Sequence, residues 1–109
     1  MKKSMLLLVA VSAAGLLSAT AADVKENWSK NCAKCHGEDG AGKTKMGEKL
    51  KIKDLTDAKL QASVKDEEIT KAIKEGVKDG DTVKMKGFAD DLNADEIKAL
   101  VAYVRTLKK

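Results

Sequence analysis

The sequence predicts an all-α domain, and three observations predict it. Apolar residues recur at helical spacing in three segments, glycine-bearing loops separate those segments, and no stretch alternates in the manner of a half-buried strand. Two of the loops, GEDGAGKTKMG (37–47) and GVKDGDTVKMKGF (76–88), have the conformational freedom to wrap around something.

The chain of 109 residues opens MKKSMLLLVAVSAAGLLSATAA, with a basic start at Lys2 and Lys3, an apolar run from Met5 to Leu17, and small residues at Ala19 and Ala21. This is the pattern of a secretory signal peptide cleaved after Ala21 or Ala22. The apolar run falls short of the roughly 20 residues that a membrane span needs. An exported, periplasmic protein without a stable membrane anchor is therefore expected, residues 1–21 being the signal and 22–109 one domain. Removal of the signal leaves 88 residues and lowers the formal charge from +4 to +2, too little to argue for nucleic acid. With one tryptophan, one tyrosine, one phenylalanine and no proline, so small a domain has little with which to build a core. Domains of this size often need a staple, and a cofactor would serve as one.

The first helix carries Val24, Trp28 and Cys32 at i, i+4 and i+8. A shorter helical stretch covers Thr56 to Ser63. In the middle helix Asp66 is placed to cap, Ile69, Ala72 and Ile73 share a face, and Gly76 is the stop. The last helix opens on Asn93 with Glu96 three residues on, a capping-box pattern, and continues with Ile97, Leu100, Val101, Val104 and Leu107 on one stripe. Lys108 and Lys109 suit the negative end of its dipole.

Both cysteines and the single histidine lie in CAKCH, residues 32–36. C-x-x-C-H is the attachment sequence for c-type haem: two thiols three residues apart reach two vinyl groups on one porphyrin edge, and the next residue supplies an iron ligand. A thioredoxin-like motif would want a βαβ context and a helix N-terminus under its first cysteine. Structural zinc would want four ligands, where only three cysteine or histidine residues exist. A disulfide across two residues closes too short a loop to stabilise much. His36 being the sole histidine, this chain alone cannot supply bis-histidine ligation; a sixth ligand would be methionine, another donor, water or none, and the methionines beyond the signal are Met46 and Met85. Met85 lies between two lysines and before Gly87-Phe88, poor company for a core methionine.

Over essentially all of its length after the signal, the chain resembles the class I monohaem cytochromes c. Trp28 stands where that family carries an aromatic residue before the first cysteine, CAKCHGEDGAG is similar to its CxxCHGxxGxG, and Gly47-Glu48-Lys49-Leu50 is similar to its GPxL. DEEITKAIKEGV resembles the helix before the distal loop, MKGF (85–88) the family's MPxF, and LNADEIKALVAYVRTL the C-terminal helix that crosses the first. The resemblance implies a cytochrome c fold with one covalent haem c held by Cys32 and Cys35. His36 would be the proximal and Met85 the distal iron ligand, and Trp28 and Tyr103 would pack between the terminal helices. Two prolines of the family are replaced, by Glu48 and Lys86. The carbonyl of the first accepts the proximal histidine's Nδ1–H, a bond that the backbone of Glu48 could also make, and loss of the second is expected to loosen the distal loop.

The function implied is soluble one-electron transfer between larger redox proteins, of reductase, oxidase or reaction-centre type, by a monomeric non-enzymatic carrier. Lys43, Lys45, Lys49, Lys84 and Lys86 are candidates for docking an acidic partner. The alternative is a gas-binding or sensing haem protein in which Met85 is weak or displaceable.

Overall fold

The computed structural model describes residues 21–109, in which six helices and one hairpin follow in the order α1 (Ala21–Asn31), α2 (Ala33–His36), α3 (Lys45–Leu50), α4 (Ala58–Ser63), α5 (Asp66–Glu75), β1 (Val77–Asp79), β2 (Thr82–Met85) and α6 (Ala94–Thr106). The expected signal lies outside the described residues except for Ala21, which opens α1. Among the described residues no helix is long and apolar enough to cross a membrane.

The all-α architecture holds, and the terminal helices α1 and α6 pack together. The apolar stripe of α6 is buried at Ile97, Leu100, Val101 and Val104, against Val24 and Trp28 from α1 and Cys32 just beyond it. Trp28 and Leu100 are the most deeply buried large side chains. The start of α6 is fixed as its sequence indicates: Asn93 accepts from the Glu96 amide at 2.8 Å and Glu96 accepts from the Asn93 amide at 2.9 Å.

Four local expectations change. Asp66 does not cap α5; Lys65 takes the N-cap position, and Glu68 accepts from its backbone N–H at 2.8 Å. A lysine side chain has no acceptor to offer, so only the returning half of a capping box forms. Cys32 keeps its buried place on the α1 stripe but sits at a turn after the helix has ended. The end of the first glycine loop is helical, because Thr44 caps α3 by accepting from the Gly47 amide at 2.9 Å. The second loop contains an antiparallel hairpin, with Asp79 opposite Thr82 and Val77 opposite Met85. Its two-residue turn places Gly80 first with φ +61°, as a type II′ turn requires. The strands are short and mostly exposed, so they leave no alternating apolar pattern in the sequence.

Arg105 ties three elements together from the last turn of α6. Its guanidinium donates to the backbone carbonyls of Gln61 at 2.8 Å and Val64 at 2.6 Å, and pairs with Asp66 at 2.8 Å. Gln61, buried, in turn donates to the carbonyls of Leu55 at 2.6 Å and Val104 at 2.9 Å. Replacing Arg105 with leucine should cost about 1–3 kcal/mol, because part-buried carbonyls lose their donors. Chemical denaturation would read this as a lower midpoint with an unchanged slope.

Candidate cofactor site

A cavity of about 340 Å³ opens between α2, the segment after α3, α5, the hairpin and α6. That volume lies within the range of small-molecule and cofactor sites. Its wall is overwhelmingly apolar and includes Leu50, Ile52, Leu55, Ile69, Ile73 and Leu100. Three apolar residues of LKIKDL, Leu50, Ile52 and Leu55, all reach this wall.

Cys32, His36 and Met85 all line the same cavity. Cys35 is half-buried and not part of the wall. Met46 is elsewhere, in a separate hollow with Lys34, Lys45 and Lys49. The structure thus gathers residues far apart in sequence, Cys32 and His36 with Met85, and separates the two candidate methionines.

The local fold around CAKCH is held by backbone. The His36 amide donates to the Cys32 carbonyl at 2.9 Å, and the Thr44 hydroxyl donates to the Cys35 carbonyl at 2.7 Å. Trp28 stands beside His36, ring centroids 5.7 Å apart, and its indole N–H donates to the Gly37 carbonyl at 3.0 Å. Gly47 packs against this turn so closely that a Cβ there would lie 2.4 Å from the Cys35 carbonyl oxygen. A side chain at 47 would push the attachment turn away.

Two titration shifts follow from burial. The Cys32 thiol is pushed up to about 11, first by burial and then by the neighbouring Cys35. A thiolate redox centre or metal site needs the opposite shift. Among the described residues no group of three or more histidine, cysteine or acidic side chains is placed to hold a metal ion. Burial also lowers the pKa of His36, favouring the neutral imidazole that can ligate a metal.

His36 Nδ1 is buried and has no hydrogen-bond partner among the described residues. The expected acceptor, the carbonyl of Glu48, instead receives the Lys51 amide at 3.2 Å, and that of Gly47 receives the Ile52 amide at 3.0 Å. With glutamate in place of proline, residues 45–50 close into α3 and turn these carbonyls to its own C-terminal end.

Some wall residues carried no signal in the sequence. Gln61 and Arg105 line the cavity, yet their polar atoms are committed to the hydrogen bonds described above. Lys84 also lines it, and its ammonium donates to the Leu50 carbonyl at 2.6 Å, joining the hairpin to the end of α3.

The chain matches the family model of cytochrome c oxidase, cbb3-type, subunit III, over residues 19–104. It belongs to this family of c-type cytochrome domains. The cytochrome is also similar to the solved KustC0563 c-type cytochrome, with 38% identity and a TM-score of 0.70, over 78% of this chain and 96% of that one. A tyrosine-to-phenylalanine mutant of Kustc0563 aligns with 37% identity and a TM-score of 0.69, over 79% and 99% of the two chains. No curated protein matches. A small monohaem c-type cytochrome is thus supported by family, fold and relatives together, and the family implies haem c as cofactor.

The residues present fit that cofactor. The cavity is apolar, and His36 and Met85 bring an imidazole and a thioether to its wall. An apolar wall that faces an open, unfilled cavity gains little from burial, so a domain this small depends on what fills it. A Cys32→Ser, Cys35→Ser double variant, made without attached haem, should therefore lose most of its helical far-ultraviolet dichroism and its cooperative melting.

Proposed function

We propose that this cytochrome is an exported, soluble carrier of single electrons, with haem c bound through Cys32 and Cys35 and ligated by His36 and Met85. The observation that carries this reading is the convergence of Cys32, His36 and Met85 on one apolar cavity, with Met46 outside it. Bound there, haem c would supply a one-electron iron centre whose ferrous state a methionine ligand favours.

The chain's own part is to hold and to exclude. Trp28 and the turn at Gly37 brace His36, the apolar wall would exclude water around a bound group, and the hairpin presents Met85. Of the polar side chains on the wall, Gln61, Lys84 and Arg105 donate to backbone carbonyls and Glu68 accepts from the Lys65 amide. This supports a carrier rather than an enzyme, in line with the family's general role.

The test is an absorption spectrum of the exported, reduced protein before and after carbon monoxide. A sharp c-type spectrum indifferent to the gas is expected, and Met85→Ala should make it responsive. A prompt shift in the unmodified protein would put the gas-binding alternative ahead, and absence of any haem spectrum would sink both.

Docking is proposed on the side of Met46. Lys34, between the two cysteines, shares a hollow there with Lys45 and Lys49. Of the other candidates, Lys84 donates to the Leu50 carbonyl and Lys86 pairs with Asp91 at 3.4 Å, while Lys43 lies outside this hollow. An acidic redox protein fits such a surface. Charge reversal at Lys45 and Lys49 together should slow oxidation by hexacyanoferrate, an anionic probe, by about an order of magnitude at low salt. The difference should shrink as salt is added.

A further inference from the structure

We infer that Gly76 and Gly87 form a backbone latch that positions Met85 at the cavity wall. This rests on the proposed function of Met85 as the distal ligand and specifies how the chain would hold it there.

Gly76 ends α5 with φ +82°, its amide donating to the Ala72 carbonyl at 2.8 Å. A Cβ on Gly76 would lie 2.4 Å from the carbonyl oxygen of Met85 itself, and 2.8 Å from the amide nitrogen of Gly87. The contact is reciprocal. A Cβ on Gly87 would lie 2.7 Å from the Lys74 carbonyl oxygen and 2.7 Å from the Glu75 carbonyl carbon. Two stretches of main chain, 74–76 and 85–87, therefore touch with no side chain between them.

The next residues extend the contact. The Phe88 amide donates to the Ile73 carbonyl at 2.7 Å and the Ala89 amide to the Lys74 carbonyl at 3.2 Å. Carbonyls in the last turn of a helix lack intrahelical donors, and here the segment after Met85 supplies them. Phe88 is buried, and the Lys86 ammonium stands 5.3 Å from its ring centre while pairing with Asp91. Lys86, which replaces the family's proline, thus sits in a segment anchored on both sides.

Ordinary carbon contacts fall at about 3.5–4.0 Å, so a methyl group at 76 or 87 must displace main chain by about 1 Å. Backbone atoms cannot rotate out of the way as the end of a side chain can. The backbone displaced includes the carbonyl of Met85 and the peptides that follow it, and the thioether would move with them.

Three alanine variants separate the causes, all made in the exported haem-bearing protein. Gly87→Ala introduces the close contact alone, since Gly87 does not have a positive φ. Gly80→Ala introduces an unfavourable φ alone, because Gly80 has φ +61° and nothing within 4 Å of a Cβ. Gly76→Ala introduces both. The readouts are the ferric thioether-to-iron charge-transfer band, carbon monoxide uptake by the reduced form, and the reduction potential.

Gly87→Ala and Gly76→Ala should lose the band, take up carbon monoxide at least about tenfold faster, and shift to a lower potential, because the thioether favours ferrous iron. Gly80→Ala should keep the band. If the unmodified protein shows the band and Gly87→Ala keeps it with unchanged gas response and potential, the latch is overturned while Met85 stands as ligand. If the unmodified protein lacks the band and binds carbon monoxide, the ligand role falls and its positioning falls with it. Amide exchange in the unmodified protein covers the case in which Gly87→Ala does not accumulate. The Phe88 amide should exchange more slowly than that of Asp81 at the hairpin turn, and equal rates would overturn the latch.

Discussion

The indole of Trp28 joins the two halves of this cytochrome. Its ring packs 5.4 Å from the ring of Tyr103 on α6 and 5.7 Å from that of His36, and its N–H holds the carbonyl of the residue after His36. One side chain thereby couples the crossing of the terminal helices to the turn that carries the attachment cysteines. The chain has few aromatics with which to make such a joint, and this one is almost fully buried. A smaller residue would lose the packing, the hydrogen bond and the register of α1 against α6 together.

The cavity explains why the rest of the core is so thin. Buried apolar residues lie mainly along α1 and α6, with Ile73 near the end of α5 and Phe88 and Leu92 ahead of α6, while Leu55 and Ile69 are only partly buried beside the cavity. Apolar surface turned toward a cavity gains its burial only when the cavity is filled. Folding and cofactor retention are therefore two aspects of one free-energy balance. The same scarcity of aromatics and lack of proline that marks the sequence as under-equipped becomes intelligible once the cofactor is counted as core.

Much of this was legible in the residues. CAKCH named the cofactor, and the strong period of α6 with its Asn93–Glu96 cap fixed the last helix, because capping and amphipathic spacing are local properties. The family match over residues 19–104 agrees with the resemblance carried by those motifs. The hairpin was not legible, since its strands are three and four residues long and mostly exposed. Nor was the commitment of Lys84 to Leu50, whose partners lie 34 residues apart. The lone Nδ1 of His36 depends on how α3 closes, which follows from the carbonyl geometry around Glu48 and not from any pattern of side chains.

The turn of the hairpin has a further consequence for how such a domain can be lengthened. Gly80 and Asp81 are exposed, and a side chain built at Gly80 would meet nothing within 4 Å. Exposed tips of this kind accept inserted sequence most readily. Extra residues there would extend two short strands outward while the bonds from Phe88 and Ala89 to α5 stayed in place. The hairpin tip is thus the natural point for related chains to differ in length, or for a spectroscopic label to be attached, without disturbing the cavity.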